Sequence, residues 1–233
     1  MPSREKIKAL FDGISPNYDK LNHLMSFNLD KVWRRKAVRK VVEGGLPVRV
    51  LDVATGSGDL AVAIAKKMPV GSSVIGLDLS EKMLAVAQDK VNHLNLQNVI
   101  DFQCGSCEEL PFGEASFDRV SVAFGVRNFE DLEMGLREMY RVLVPGGRLI
   151  VLELSYPDNR LLQWCFRQYA LRWLPFIGGK VSGERAAYQY LPKSILDFPK
   201  SPLFLSKLRM AGFSTVSSKS LAMGVCRLYT AEK

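Results

Sequence analysis

Between residues 48 and 154 short apolar runs alternate with amphipathic segments. Runs at 48–54, 73–80, 98–105, 117–124 and 147–154 are rich in Val, Ile and Leu and too short for helices, so they predict buried strands. The segments at 59–68, 81–94 and 130–143 carry apolar residues at helical spacing and predict helices between them. Regular alternation of strand and helix implies an α/β domain with a mostly parallel sheet and helices on both faces. Ser80, with Glu81 in the first turn behind it, marks a helix start, and the VPGG at 144–147 stops a helix and turns the chain into the next strand. After Pro157 the rhythm changes. Residues 160–177 mix Trp164, Phe166, Trp173 and Phe176 with Arg160, Arg167 and Arg172, which predicts an amphipathic insertion over one end of the sheet. The closing residues 213–232 predict two antiparallel edge strands joined near Met223 and Gly224. The expected organisation is a single domain: a helical cap (1–45), a ligand-binding core (46–155), a substrate-side insertion (156–200) and carboxyl-terminal edge strands (201–233).

Composition narrows this picture. A chain of 233 residues that is 47% apolar builds one sizeable core. The amino-terminal segment is charged from Arg4 onward and lacks a secretory leader, and no run approaches a membrane span, so a cytoplasmic protein is expected. Four cysteines are too few for a disulfide scaffold at this length. Cys104 and Cys107 form a CxxC, but a zinc site needs two further ligands and the remaining Cys and His residues are scattered, so no metal is expected. The net charge of +8 divides into +6 over residues 1–40, −6 over 41–155 and +8 over 156–233. Basic flanks suit an anionic membrane surface or nucleic acid as well as an ordinary solvated exterior.

In open α/β sheets ligands bind beyond the carboxyl ends of the strands. The first strand ends in DVATGSGDLA, where Gly56-x-Gly58-x-x-Ala61 satisfies the dinucleotide pattern and Asp78 ends the second strand, placed to accept from ribose hydroxyls. Charge separates two ligands. A diphosphate would lie close to Asp52 and Asp59, whereas the ammonium and sulfonium of S-adenosylmethionine would gain from them. In that reading Gly56 and Gly58 allow close backbone approach and Ser57 meets the methionyl end, with Asp52 beside it. Leu79 or Met83 packs near the adenine, Ser106 and Cys107 meet its edge, and Ala123 borders the site. Asp52 as a carboxylate that merely organises its loop is the alternative.

The stretch SVAFGVRNF (121–129) ends the fourth strand with Arg127 and Asn128 set between Phe124 and Phe129. Together with LDVATGSGDLA, LPF (110–112), LREMYRVLVPGGRLIVLELSYP, YQYLP (in 188–199) and the amino-terminal YD-x-x-N-x-x-MS, it resembles the ubiquinone/menaquinone biosynthesis C-methyltransferase family. The resemblance runs from about residue 5 to the end. It implies a seven-stranded class I methyltransferase sheet, S-adenosylmethionine as methyl donor and a prenylated quinol as acceptor, most closely demethylmenaquinol; a benzoquinol of ubiquinone synthesis is the alternative. Ser57 stands where the family usually has Thr, Ser106-Cys107 where it often has Asp-Ala, and His23 where it commonly has an acidic residue.

Methyl transfer to a quinol carbon requires loss of a hydroxyl proton, and phenolic hydroxyls titrate near ~10. Arg127 and Asn128, with Tyr18, are the expected catalytic residues, stabilising the developing phenolate. Phe124, Phe129 and Tyr188 are the expected walls of the ring. Tyr18, Asp19, His23, Glu153 and Tyr188 all remain candidates for the proton acceptor, and an ion pair of Arg127 with Glu130 or Asp131 is the alternative to its catalytic role. A bilayer-resident acceptor, the basic flanks and the aromatic–Arg segment imply peripheral contact with the inner face of the cytoplasmic membrane. A homodimer is one oligomeric state the chain allows. Competing readings are a methyltransferase of another small molecule and a nucleic-acid methyltransferase or binding protein. The second is disfavoured because the fourth strand lacks an Asn/Asp-Pro-Pro-Tyr type motif and the basic residues form no tail, so no nucleic acid is expected as a partner.

Overall fold

The five central apolar runs form parallel strands: β1 (Arg49–Val53), β2 (Ser73–Asp78), β3 (Ile100–Cys104), β4 (Phe117–Ala123) and β5 (Leu143–Leu154). The chain adds β6 (Thr215–Leu221) and β7 (Cys226–Glu232), completing a seven-stranded sheet in the order β3-β2-β1-β4-β5-β7-β6. The computed structural model describes residues 3–168 and 185–233, the side chains of Asn17, Cys165 and residues 185–189 aside. The second half of the expected insertion, with Arg172, Trp173 and Phe176, lies outside the described residues.

Two expectations for the carboxyl-terminal part are corrected. β7 runs antiparallel between β5 and β6, so of these two strands only β6 lies at an edge of the sheet. The reason lies in composition: β7 is buried along most of its length, whereas β6 is mostly exposed and Ser-rich and suits the margin. Residues Ser201–Met210, expected to lead into strand, form a helix with a proline in its first turn.

Successive residues of each central strand point to opposite faces, and both faces are covered, which explains the continuous apolar runs. On one face α6 (Leu132–Val142) and the helix Ser201–Met210 press Leu136, Met139, Phe204 and Leu208 onto Leu51, Val53, Val120 and Val151. On the other, α3 (Leu29–Val41), α4 (Asp59–Ala65) and α5 (Glu81–His93) pack Trp33, Ala37, Ile64 and Val91 against Val50, Val74, Ile150 and Leu152. Ser80 caps α5, its hydroxyl accepting from Met83 N at 3.1 Å.

Ahead of α3, α1 (Arg4–Ile14), a short 3-10 turn (Ser15–Asn17) and α2 (Tyr18–Met25) cross the carboxyl ends of the strands. From the far side α7 (Arg160–Gln168) and α8 (Arg185–Asp197) complete the rim, so the sheet's ligand-binding end is enclosed by a cap at each side.

The ends of β1 and β4 meet closely. Ala54 and Phe124, the residues just beyond them, have φ of 51° and 60°, left-handed values that cost a non-glycine residue about 1–3 kcal/mol and concentrate at functional sites. Gly125 itself has a φ of −107°, which suits any residue. What Gly125 supplies is room: a Cβ there would lie 2.6 Å from the Ala54 Cβ. Gly125→Ala is therefore predicted to lower the unfolding free energy by about 1–3 kcal/mol in a urea titration. Adding Ala54→Gly to the same chain should recover most of that loss; full stability in the single variant would mean the strand ends separate freely.

Candidate active site

The order β3-β2-β1-β4-β5 reverses direction between β1 and β4, the point where open sheets hold ligands. A cleft of about 720 Å³ opens there. Its walls come from the loops after four strands: Ala54 and Gly56, then Asp78, Leu79, Ser80 and Met83, then Gly105, Cys107 and Glu108, and last Ala123, Phe124, Asn128 and Phe129. A side recess of about 320 Å³ continues it past the glycine loop, lined by Asp52, Thr55, Ser57, Asp59 and Arg34.

Asp78 braces the floor. Its carboxylate accepts from Gly56 N at 2.8 Å and Ser80 N at 2.9 Å, tying the loop after β1 to the one after β2. Burial raises its pKa, and backbone N–H groups from Ser80, Gly56 and Leu79 oppose the rise. Asp52 is 1% exposed. It lies opposite Ser121 in the β1–β4 register, accepts from Ser121 Oγ at 2.6 Å and from Thr55 Oγ1 at 2.7 Å, and burial pushes its pKa up to about 6 against those two hydrogen bonds. These partners are hydroxyls and not the backbone amides expected of a loop-organising carboxylate. The charge of Arg34, which lines the same recess, also opposes the rise; a buried carboxylate whose hydrogen bonds come from hydroxyls is complementary to a cationic ligand group there.

Charged and hydroxyl groups stitch the cap to this floor. Asp12 of α1 accepts from Ser80 Oγ, and Asp19 of α2 accepts from Ser57 Oγ. Lys90 of α5 bridges Asp19 at 2.7 Å and Asp59 at 2.6 Å, and Arg4 meets Glu108 at 2.5 Å at the cleft's outer edge. His23, Asp30 and Asp59 form a tight group, in which Arg34 Nη1 already contacts both carboxylates. A guanidinium thus supplies the positive charge that the cluster needs.

On the other side of Phe124 lies a second, strongly apolar cavity of about 700 Å³. It is lined by Met25, Trp33, Leu154, Phe166, Leu191, Ile195 and Val225, with Asn22, Ser26, Asp30, Arg34 and Arg127 as its polar members. Tyr18 and Phe124 face both cavities. Phe124 is held in place by an edge contact to Trp33 (6.3 Å between centroids) and by the Arg34 guanidinium 5.4 Å from its ring centre. Burial raises the Tyr18 pKa, against the charges of Arg127 and Arg34, so its hydroxyl stays protonated at neutral pH.

Arg127 is buried and lines the apolar cavity. Its Nη1 donates to Glu153 Oε1 at 2.6 Å and to the Phe124 carbonyl, its backbone N–H donates to Glu153 Oε2 at 3.2 Å, and Nε reaches Ser194 Oγ at 3.3 Å. The expected alternative partners were Glu130 and Asp131; the partner is instead Glu153, at the end of the neighbouring strand β5. Asn128 turns to the cleft side, where its Oδ1 accepts from Tyr190 Oη at 2.9 Å.

The structure brings Gly56, Asp78, Leu79, Met83, Cys107, Ala123, Phe124 and Asn128 to the cleft and Asp52 and Ser57 to its recess. Gly58 and Ser106 lie outside both linings. Gly58 instead takes a φ of +77° to start α4, with Ala87 and Phe102 packed over it, and Ser106 Oγ accepts from Glu108 N. Phe129 walls the cleft and not the apolar cavity. The Tyr188 side chain lies outside the described residues. Among the proton-acceptor candidates, Glu153 is fully buried against Arg127 and Asp19 is engaged by Ser57 and Lys90. Sequence reasoning missed Asp30, Trp33 and Arg34; the available signal was a charged pair four residues apart on the same apolar stripe as Trp33, Ala37 and Val41.

Residues 2–233 match the model of a family described as the ubiE/COQ5 methyltransferase family. The chain is 42% identical over 231 residues to the ubiquinone/menaquinone biosynthesis C-methyltransferase UbiE of Geotalea daltonii, covering 98% of this chain and 97% of that one. It is 41% identical over 229 residues to the demethylmenaquinone methyltransferase of Bacteroides fragilis, covering 98% and 93%. The crystal structure of an S-adenosylmethionine-dependent methyltransferase from Aquifex aeolicus superposes with a TM-score of 0.65 over 92% of this chain and 97% of that one, at 19% identity, a likeness of fold.

Asp52 yields a test that needs no ligand. Its folded pKa of about 6 exceeds the ordinary 3.8, so its contribution to stability is full below about pH 4 and is lost as pH rises through about 6. The difference corresponds to about 3 kcal/mol. Asp52→Asn keeps groups able to pair with both hydroxyls, and is predicted to raise stability at pH 7.5 by about 1–3 kcal/mol while flattening its pH dependence between pH 4 and 7. Chemical denaturation across that range checks this; a variant less stable than the parent at pH 7.5 would contradict it.

Proposed function

The chain belongs to the ubiE/COQ5 methyltransferase family, and from that footing we propose that it methylates a ring carbon of a prenylated quinol, with demethylmenaquinol as the acceptor. It is an S-adenosylmethionine-dependent C-methyltransferase. The observation that carries the reading is the pairing of two unlike cavities, one walled by strand-end loops and carboxylates and the other largely apolar, that share Tyr18 and Phe124.

S-adenosylmethionine, when bound, supplies an electrophilic methyl on a sulfonium. The residues present suit it: Asp52 in the recess is a buried carboxylate hydrogen-bonded to the neutral hydroxyls of Ser121 and Thr55, Asp78 offers a carboxylate for ribose hydroxyls, and Leu79, Met83 and Cys107 give an apolar setting for a base. The same carboxylates would repel a diphosphate. The acceptor belongs in the apolar cavity, where Trp33 and Phe124 offer flat walls for a fused bicyclic ring and Leu191, Ile195 and Val225 line a path for a prenyl chain. A quinone ring carbon is electron-poor, so the reduced quinol is the nucleophile.

Arg127 and Asn128 sit on the two sides of the junction. Because Glu153 balances its charge, Arg127 acts as a fixed hydrogen-bond donor more than as a net cation. Asn128 has its oxygen occupied by Tyr190, which turns the amide N–H₂ toward the cleft. Arg127, which lines the acceptor cavity, holds the acceptor oxygen as its proton leaves, and Asn128 borders the cleft beside it. Purified protein with S-adenosylmethionine is predicted to methylate a short-chain demethylated naphthoquinol faster than the matching benzoquinol and to leave both oxidised quinones untouched. Arg127→Met should cut turnover at least ~100-fold while S-adenosylmethionine affinity stays within about threefold. Methylation of the benzoquinol alone would move the assignment to ubiquinone synthesis, and no methylation of either would overturn it.

Among the described residues no helix is long and apolar enough to cross a membrane. Leu24, Phe27, Trp164, Leu196 and Met223 are exposed and lie within two residues of Met25, Phe166, Ile195 or Val225 at the acceptor cavity, and Leu161 is exposed on the same helix as Phe166. Exposed Lys20, Lys31, Arg160, Arg167 and Lys193 share these segments. An apolar rim with basic neighbours suits an anionic bilayer surface, from which a prenylated acceptor would enter. The protein is predicted to cosediment with vesicles containing anionic lipid, with binding weakened by 0.5 M salt and by Trp164→Ala; equal partitioning onto neutral vesicles, or none at all, would contradict the contact.

A further inference from the structure

An amino acid seated in the recess brings an ammonium and a carboxylate, and the two need opposite surroundings. Among the described residues lining the recess, Asp52 and Asp59 are carboxylates and Arg34 is the one cation. An ammonium placed beside Asp52 carries the carboxylate of the same amino acid with it, into the field of both acids. Without a cation close by, that carboxylate would be repelled.

The glycine loop has little to offer it. Thr55 N donates to Leu77 O at 3.0 Å, Gly56 N to Asp78 Oδ2 at 2.8 Å and Gly58 N to Thr55 O at 3.0 Å. The Ser57 hydroxyl is likewise engaged, donating to Asp19.

Arg34 has donors to spare. Its side chain is 10% exposed, and its Nη1 donates to Asp30 Oδ2 and lies 3.5 Å from Asp59 Oδ2. Neither carboxylate depends on it alone. Asp30 also meets Ser26 Oγ and His23 Nδ1, each at 2.7 Å, and Asp59 accepts from Lys90 Nζ at 2.6 Å. Among the described residues, Arg34 Nε and Nη2 have no hydrogen-bond partner. Those two nitrogens form one edge of the planar guanidinium, the fork that receives both oxygens of a carboxylate. The bond to Asp30 and the Phe124 ring, its centre 5.4 Å from Arg34 Cζ, hold the guanidinium in place before a ligand arrives.

We propose that Arg34 binds the α-carboxylate of S-adenosylmethionine, so that the recess holds the methionyl end as a zwitterion, ammonium at Asp52 and carboxylate at Arg34. The inference rests on the donor's amino-acid end occupying the recess. It gives a use to a guanidinium buried on the face of α3 that otherwise carries Trp33, Ala37 and Val41. The carboxylate is the same in the donor and in the demethylated product, so Arg34 grips both alike, which lowers KM for the donor and leaves kcat nearly unchanged. Arg34 also lines the acceptor cavity, and a contact with the acceptor there is the competing use of the same edge.

The test is calorimetric titration of the full-length protein with S-adenosylhomocysteine and with its decarboxylated counterpart, which keeps the amine and lacks the α-carboxyl. The parent is expected to bind S-adenosylhomocysteine roughly 30-fold tighter than the decarboxylated thioether. Arg34→Gln should lose roughly 30-fold for S-adenosylhomocysteine and stay within about threefold of the parent for the decarboxylated ligand. Arg34→Lys should recover only part of the loss, because an ammonium is a point charge and not a fork. If Arg34→Gln does not fold, the parent alone decides: the Arg34 Nε–H resonance should move on adding S-adenosylhomocysteine and stay in place with the decarboxylated ligand. Equal losses for both ligands in Arg34→Gln, a parent that does not distinguish them, or parent-like affinity with a raised KM for the quinol each overturns the assignment. A parent that binds neither ligand is a different result and overturns the placement of the donor beneath it.

Discussion

Asp52 and Ser121 face each other across β1 and β4, a carboxylate and a hydroxyl at 2.6 Å in the interior of the sheet. Much of the site depends on this junction. The sheet reverses its order here, so the loops leaving the two strands part and open a cleft. One residue beyond the strands, Ala54 and Phe124 take left-handed backbone conformations, and Gly125 lets the ends approach within side-chain contact. Phe124, turned out by that backbone, becomes the shared wall between a polar and an apolar cavity. A strained aromatic, a buried carboxylate and a cleft are three consequences of one strand pair.

The remainder of the site is a problem of buried charge. Arg127 and Glu153 leave the ends of adjacent strands and satisfy each other, which fixes the guanidinium but removes most of its net charge. Asp52 has no such partner and holds its proton to about pH 6. The cap supplies the rest of the network, with Asp12 and Asp19 reaching down to Ser80 and Ser57. The cap is therefore not a passive cover: its carboxylates bond the same loops that would receive the cofactor.

The sheet core was legible because its strands are continuous apolar runs and its helices are amphipathic, signals that survive without tertiary knowledge. The glycine loop and Asp78 were legible for a related reason, since a strand-end glycine followed by a helix has few uses. The acceptor cavity was not. Its walls come from α2, α3, α7, α8 and the ends of β4 and β5, joined only by folding, and no local pattern announces that Asp30, Leu154 and Val225 are neighbours. The partner of Arg127 was missed because nearby acidic residues in the chain looked sufficient, although strand ends adjacent in a parallel sheet bring Glu153 closer. β7 was misplaced at the edge because antiparallel hairpins do not reveal which strand faces the sheet; burial does.

The central claim is that donor and acceptor occupy separate cavities that meet at Tyr18 and Phe124. A crystal structure with S-adenosylhomocysteine and a short-chain demethylated naphthoquinone measures this directly. The account predicts the homocysteine carboxyl and amino groups in the recess by Asp52 and Ser57. It also predicts the naphthoquinone ring in the apolar cavity lined by Trp33 and Phe124, with the unmethylated ring carbon facing the thioether sulfur past Tyr18. A ring bound outside the Trp33–Phe124 cavity, or a homocysteine moiety directed away from Asp52, would contradict it.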